Sequence, residues 1–424
     1  MIGRVLAAVA VRGGGLGLQL LVNVALGRLI GAQGMGVYGF YTAATNTLGD
    51  LGALGLPTRV MRDVAQAEAD GGRQRARDLV GGALRWALAA TVTLGAVLTL
   101  ALALGPVAFA ANPFLTVAPW VAAAAVAFVA LRLFAEAIKG AGHSNVAVAL
   151  ESLGVPVGMA VGVGLAVGLA ATGRVPALST TGVIAVNVCA LVGTALLLRW
   201  YWRRITGCPP AGTPARDTVV RGTGLLPFWG LAILGVLAGN LPILLAPLVA
   251  SPEDVGRFTV AFRLLGLVTA VLITLGAWFG PRFAVAARDR DSRRLRRLLL
   301  ASQGLSLLIG LPFLVLCLTH PALILGAFGP EFPAGAAVLQ VMALGHVVNA
   351  ATGLPGYLLN MAGFERLELT INLVALMTLG VGIALLGPSG GAVGLAWAVT
   401  LSVVLKQVLS WIAAIRACDQ LERP

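Results

Sequence analysis

Residues 144–171 read SNVAVALESLGVPVGMAVGVGLAVGLAA, with Glu151 as the one charged side chain. A hydrocarbon core about 30 Å thick takes roughly 20 apolar residues per helical crossing, so this run predicts a membrane-spanning helix. Gly154, Gly158 and Gly162 recur every four residues and share one face of it. Small residues in that register let a neighbouring helix approach closely. Outward from this run in both directions, comparable apolar stretches follow one another with only short charged or Gly/Pro-rich connectors between them.

Across the 424 residues, 58% are hydrophobic and 11% charged, and 55 are glycine. That balance leaves little chain for a soluble domain. An outer-membrane barrel needs alternating segments of about ten residues, which these continuous runs are not. The expected fold is an all-α polytopic membrane protein with about 12 transmembrane helices. The spans fall at about 5–30, 36–57, 79–104, 116–138, 144–171, 179–199, 222–249, 256–280, 298–319, 334–359, 367–387 and 391–415. The first of these lacks a short apolar core followed by a clear cleavage site, so it reads as a membrane helix and not as a removed signal.

The net charge is +13, and the only lysines are Lys139 and Lys406. Most of the arginines lie between spans, chiefly in a loop at 58–78, a connector at 200–221 and a dense run at 281–297. Basic connectors alternate with connectors holding one arginine or none, and positive residues mark cytoplasmic loops. Both termini are therefore expected in the cytoplasm. Anionic membrane lipids are expected partners of these loops, and nucleic acid is not.

The chain also repeats itself. Gly34-Met35-Gly36-Val37-Tyr38 lines up with Asp254-Val255-Gly256-Arg257-Phe258 at an offset of about 220, and the same offset places Arg62 on Arg282 and Arg73 on Arg293. Lys139-Gly140-Ala141-Gly142-His143 matches Asn360-Met361-Ala362-Gly363-Phe364 with one residue of slippage. An even number of spans separates the copies, so the two six-helix repeats run in parallel. The expected division is an N-terminal lobe at 1–199, a cytoplasmic connector at 200–221 and a C-terminal lobe at 222–424. Transporters built this way usually hold substrate at the repeat interface.

Several stretches carry a family resemblance. Leu26-Gly27-Arg28-Leu29-Ile30-Gly31-Ala32-Gln33-Gly34-Met35-Gly36-Val37-Tyr38 resembles the helix 1–2 signature of polysaccharide-transport flippases. Leu54-Gly55-Leu56, Arg62-Asp63-Val64-Ala65, Asp254 to Arg263, and Gly363-Phe364-Glu365 before Asn372 are similar to further segments of that family. These are the Wzx-type members of the multidrug/oligosaccharidyl-lipid/polysaccharide (MOP) exporter superfamily. The resemblance implies a MATE-like V-shaped pair of six-helix lobes. It also implies movement of an undecaprenyl-diphosphate-linked oligosaccharide across the cytoplasmic (inner) membrane, with a polysaccharide polymerase and glycosyltransferases as further partners.

Ionisable groups at membrane depth are costly and mark functional candidates. Arg12, Gln19 and Asn23 are spaced by seven and four on the first span, and Thr42, Asn46 and Asp50 form an i, i+4 stripe on the second. With Arg263 on the eighth span, Arg12, Gln19, Asn23, Asn46 and Asp50 form the expected substrate-binding set. Arginine gives an anionic diphosphate bidentate, permanently charged contacts. A snorkelling arginine is the competing reading for Arg12, Arg263 and Arg28. Asp50 is expected to pair with Arg12, and Arg132 with Glu136 on its own helix. Asp50 and His346 are the candidate coupling positions for H+ or Na+; for His346 a packing role competes. Asn187 and Asn240 are expected to hydrogen-bond between helices.

No other cofactor is expected. His143, His320 and His346 are too scattered for a metal spacing, and neither lysine belongs to a P-loop. Gly387-Pro388-Ser389-Gly390-Gly391 matches GxSxG in letters but sits in a turn between two membrane spans. Clustered acids or histidines near a membrane face, as a catalytic enzyme needs, are missing from the sequence. The leading reading is a non-enzymatic flippase acting by alternating access. The alternatives are a cation-coupled multidrug exporter of the same superfamily, and a membrane scaffold or glycan-assembly protein.

Overall fold

The computed structural model describes residues 2–103, 112–173, 176, 178–207, 235–237 and 239–422; the side chains of 2–10, 12, 101–103 and 421–422 are not described. The first half holds α1 (Ile2–Ala53), α2 (Leu56–Ala69), α3 (Arg73–Ala103), α4 (Ala118–Gly140), α5 (Ser144–Ala171) and α6 (Thr180–Thr206). The second half holds α7 (Pro252–Arg288), α8 (Ser292–Thr319), α9 (Pro321–Gly326), α10 (Ala336–Thr352), α11 (Pro355–Met361) and α12 (Glu365–Glu422). All regular structure among the described residues is helical, because hydrocarbon offers no partner for an unpaired backbone N–H or C=O.

Nine described helices are long and apolar enough to cross a membrane. Two of these are each broken once: α1 at Gly31 (φ 66°, ψ −172°) and α12 at Gly391 (φ 53°, ψ −131°). Both sit at left-handed φ, where a residue without Cβ carries no steric penalty. Counting each side of the two breaks gives eleven spans, in the expected order. Half of the remaining one, 222–249, lies outside the described residues, as do positions 208–221 of the connector. Leu165, Leu308 and Leu385 are exposed in mid-helix at 64%, 73% and 71%, which suits a surface turned toward lipid.

Two expectations need correction. The 58–78 loop is largely the helix α2, whose Val60, Val64 and Ala67 are buried while Arg62 and Gln66 face outward. An interval of three or four between apolar residues makes an amphipathic helix even in a strongly charged segment. The 281–297 connector shrinks to a turn at 289–291, since α7 continues to Arg288 and α8 begins at Ser292.

The chain divides into two compact units, Met1–Ile30 with Val37–Leu244 and Gly31–Gly36 with Leu245–Pro424. In the first unit α4 is central, packed against α2, α3, α5 and α6; in the second, α10 holds the same place against α7, α8 and α12. The repeated sequence thus builds a repeated packing scheme. The glycine face of α5 meets α6 as expected: a Cβ on Gly158 would stand 2.8 Å from the Ala190 Cβ, and one on Gly162 2.5 Å from Val186 Cγ1.

Within the second unit, Gly36 lies against Gly256, the two residues that the repeat offset equates. A Cβ on Gly256 would collide with the backbone carbonyl of Ala32, and one on Gly36 with that of Pro252. Glu331 anchors the same turn, its Oε2 accepting from the Ala32 N–H at 2.8 Å while its carbonyl accepts from Arg257 Nε at 3.0 Å. Gly256→Ala is expected to cost about 1–3 kcal/mol by overpacking against backbone. Gly266→Ala, with nothing within 4 Å of its Cβ, should be neutral or slightly stabilising. Thermal unfolding of the detergent-solubilised variants checks the pair.

Candidate functional site: polar interiors of the two units

In the first unit, α1 carries the polar stripe. Asn23 is buried, Gln19, Asn46 and Asp50 are half-buried, and the Arg12 side chain lies outside the described residues. The turn holding Arg12 runs beside α5, since Gly15 rests on the Ser152 carbonyl, a Cβ there falling 2.7 Å from it. Further along, Tyr41 Oη donates to Asn187 Oδ1 at 3.1 Å and Asn187 Nδ2 donates to Tyr38 Oη at 3.2 Å. All three are buried, and the two tyrosine rings lie 6.1 Å apart. Asn187 therefore ties α6 to α1, the interhelical role expected of it. Asn240 does not follow: its Nδ2 donates to the Val236 carbonyl one turn back on its own helix at 3.1 Å.

The charges pair differently from the sequence expectation. Arg132 Nη1 donates to Glu151 Oε1 on α5 at 3.1 Å, and Lys139 Nζ donates to Glu151 Oε2 at 2.7 Å and to Glu136 Oε1 at 3.0 Å. The expected Arg132–Glu136 pair gives way to a chain of four groups, because Glu151 from the neighbouring helix is aimed at both cations. The expected Arg12–Asp50 pair lies outside the described residues, since the Arg12 side chain does.

The second unit has its own polar line. His346 is buried with Nδ1 3.0 Å from the Met342 carbonyl, the arrangement of a packing histidine. One turn on, Asn349 bonds Gln407 of α12, Thr352 Oγ1 donates to Gln407 Oε1 at 3.4 Å, and Gln303 Nε2 of α8 donates to the Thr352 carbonyl at 3.3 Å. Glu368 is buried at 5% exposure and accepts from Ser410 Oγ at 2.7 Å and from Asn372 Nδ2 at 3.3 Å. Arg263 on α7 is half-buried, one turn beyond the buried Thr259. The expected set is thus split, with Arg263 and His346 in the second unit and the other five residues in the first.

A sequence-family profile described as "Polysaccharide biosynthesis protein" matches residues 5–286, well over half of the chain. The chain belongs to the polysaccharide biosynthesis protein family. No curated protein matches it. Among solved structures it is similar to an inward-facing multidrug resistance MATE family transporter of the MOP superfamily, at 13% identity and TM-score 0.75 over 99% of each chain. It is also similar to an outward-facing structure of such a transporter, at 15% identity and TM-score 0.61 over 99% of this chain and 96% of the other. A MATE structure in complex with MaL6 matches at 15% identity and TM-score 0.57 over 99% and 97%. These likenesses give this polysaccharide biosynthesis protein the two-lobed all-helical fold of the MOP superfamily.

The family member's interior holds residues that sequence reading passed over: Tyr38, Tyr41, Gln303, Gln407, Glu368 and Ser410. Gln407 and Ser410 stand i, i+3 on α12, a polar spacing inside an apolar run that was available as a signal. The tyrosines gave none, since an aromatic in a membrane span reads as packing until its hydroxyl finds a partner. Among the described residues no three His, Cys, Asp or Glu side chains gather as a metal site. Asn187→Leu would remove both interhelical hydrogen bonds to the buried tyrosine hydroxyls and is expected to cost about 1–3 kcal/mol. Asn240→Leu, losing one bond within its own helix, should cost less than about 1 kcal/mol, read by thermal melting in the same detergent.

Proposed function

We propose that this protein is a non-enzymatic flippase that moves an undecaprenyl-diphosphate-linked oligosaccharide across the cytoplasmic membrane by alternating access. Family membership supports a role in exporting material for polysaccharide assembly. The observation that carries the reading is the charged interior of the first unit. Asp50, Arg132, Glu136, Lys139 and Glu151 sit half-buried on predominantly apolar helices. Desolvated charge of this kind is retained where a polar cargo must pass, because an apolar interior would make its transfer prohibitive.

In this reading Arg12 and Arg263 meet the anionic diphosphate, and Gln19, Asn23, Asn46 and Asp50 line the route. H+ or Na+ supplies the driving force, through Asp50 or His346. Both termini lie in the cytoplasm, where arginines of the basic loops contact anionic headgroups. Glycosyltransferases and a polymerase act before and after the translocation step.

One observation favours a second reading. Asp50 places a carboxylate in a membrane span, the kind of group a cation-coupled multidrug exporter needs, and the similar solved structures are of MATE transporters, two of them multidrug resistance transporters. Deleting the gene separates the two. A flippase leaves lipid-linked glycan accumulating on the cytoplasmic leaflet, and complementation with an Arg263→Ala variant should lower surface glycan at least tenfold, whereas Arg263→Lys retains part of it. Absence of accumulation together with new sensitivity to organic cations would establish the exporter instead.

A further inference from the structure

The two basic segments that the repeat equates differ in their acids. Residues 58–78 of the first unit hold five arginines against Asp63, Glu68, Asp70 and Asp78. Residues 281–297 of the second hold seven against Asp289 and Asp291 alone. Positive residues orient membrane spans whether or not acids accompany them, so orientation does not account for the missing acids. The pairing differs to match. Arg62 and Arg73 of the first unit lie 3.2 Å from Asp63 and 3.9 Å from Glu68. Their counterparts Arg282 and Arg293 are exposed and meet no carboxylate among the described residues. Arg290 and Arg294 are likewise exposed, with no partner for their guanidinium groups among the described residues.

Height above the membrane sorts these arginines. Trp278 is 53% exposed, the Arg282 guanidinium lies 3.6 Å from its ring centroid, and Arg282 Nη1 donates to the Trp278 carbonyl at 2.6 Å. An exposed tryptophan stacked with an arginine marks headgroup level. From Trp278 to the turn at 289–291 the helix rises roughly 16 Å, at about 1.5 Å per residue. A headgroup layer is about 5–8 Å deep, and a tilt of about 20° removes only ~1 Å of that rise. Helix α12 gives a similar scale, because Arg296 pairs with Asp419, roughly 12 Å past the exposed Trp411. Arg290, Arg293 and Arg294 therefore stand clear of the headgroups, and Arg282 sits among them. In the first unit α6 shows only the headgroup pattern: Arg204 lies 5.5 Å from the Trp200 ring centroid, and the helix ends at Thr206.

The outermost of these residues is also strained. Arg290 adopts φ 54°, one of two non-glycine residues at positive φ among the described residues. Glycine would hold this turn without a steric penalty, so the sequence keeps a charge there at the expense of stability. We propose that the α7–α8 tip is a docking surface for a carboxylate-rich cytoplasmic protein, gripped by Arg290, Arg293 and Arg294. Guanidinium forks match carboxylates with two parallel bonds. Lipid phosphate lies too far below the tip to be the main partner. A nucleic acid presents phosphates alone, which the exposed Asp289 and Asp291 between these arginines repel, whereas a protein face offers both signs. Asp289 is engaged by Arg288, and Asp291 caps α8 through the Arg294 N–H, so neither neutralises the three guanidinium groups. That the tip faces the cytoplasm rests on the orientation proposed above.

The test uses the full-length protein in phosphatidylcholine nanodiscs, with fluorescein-labelled oligoglutamate as the probe and fluorescence anisotropy as the readout. Arg290→Gln, Arg293→Gln and Arg294→Gln combined should weaken binding about tenfold, the loss expected of three exposed ion pairs. The first-unit set Arg62→Gln, Arg73→Gln and Arg75→Gln should change it less than about twofold. Arg290→Gly suits the backbone, so it should melt no lower than the wild type and still weaken binding. That variant keeps the test valid where the triple substitution does not fold. No binding by the wild type, equal losses from the two triple variants, or tighter binding of an oligonucleotide than of oligoglutamate would overturn the proposal. So would a tip variant that releases brominated phosphatidylglycerol, read by tryptophan quenching, as fully as Arg282→Gln does. The nanodiscs hold no cargo. Failed oligoglutamate binding therefore sinks this surface alone, and intact binding with no movement of lipid-linked saccharide sinks the transport reading alone.

Discussion

Everything in this molecule follows from the cost of leaving a polar group unpaired in hydrocarbon. Backbone groups meet that demand inside each helix, so the described chain is helical wherever its structure is regular, and its turns are short. Side chains meet it by pairing across helices. Asn187 takes both tyrosine hydroxyls of α1, Glu151 holds two cations of α4, and Glu368 takes Ser410 from beyond the Gly391 break. Each link fixes the relative position of two helices more specifically than apolar packing does, because lipid competes equally well for apolar surface.

Close approach is the second consequence. Where a helix must lie directly on another, the sequence has removed the side chain: Gly158 and Gly162 on α6, Gly36 and Gly256 on one another's segments. The Gly36–Gly256 contact has a further meaning. The repeat equates these positions, and at both of them the close backbone approach excludes a Cβ. The short 31–36 turn is thereby held in the second unit, although the helices on either side of it belong to the first.

Much of this was legible beforehand. Spans, their order and the parallel repeat were readable because hydrophobic length and a glycine register are local properties. The helix α2 was hidden by its arginines, which were counted as loop charges when the spacing of Val60, Val64 and Ala67 was the stronger signal. Pairings were the least legible, for a physical reason: a charge selects its partner by position in three dimensions, and Glu151 is as accessible to Arg132 as Glu136 is in sequence. Gln19, Asn23, Asn46 and Asp50 do lie along α1 as read.

The proposed movement of a lipid-linked saccharide rests on a charged interior, on a fold shared with MOP transporters and on membership of a polysaccharide biosynthesis family. Vesicles containing only this protein test that most directly. A fluorescent undecaprenyl-diphosphate oligosaccharide is placed in both leaflets, and its exposure to an external membrane-impermeant quencher is followed after a pH or sodium gradient is imposed. The account expects the quenchable fraction to change in a protein-dependent manner, with a phosphate-free lipid saccharide moving poorly. Equal movement of charged and uncharged lipids, or transport of organic cations with none of the saccharide, would contradict it.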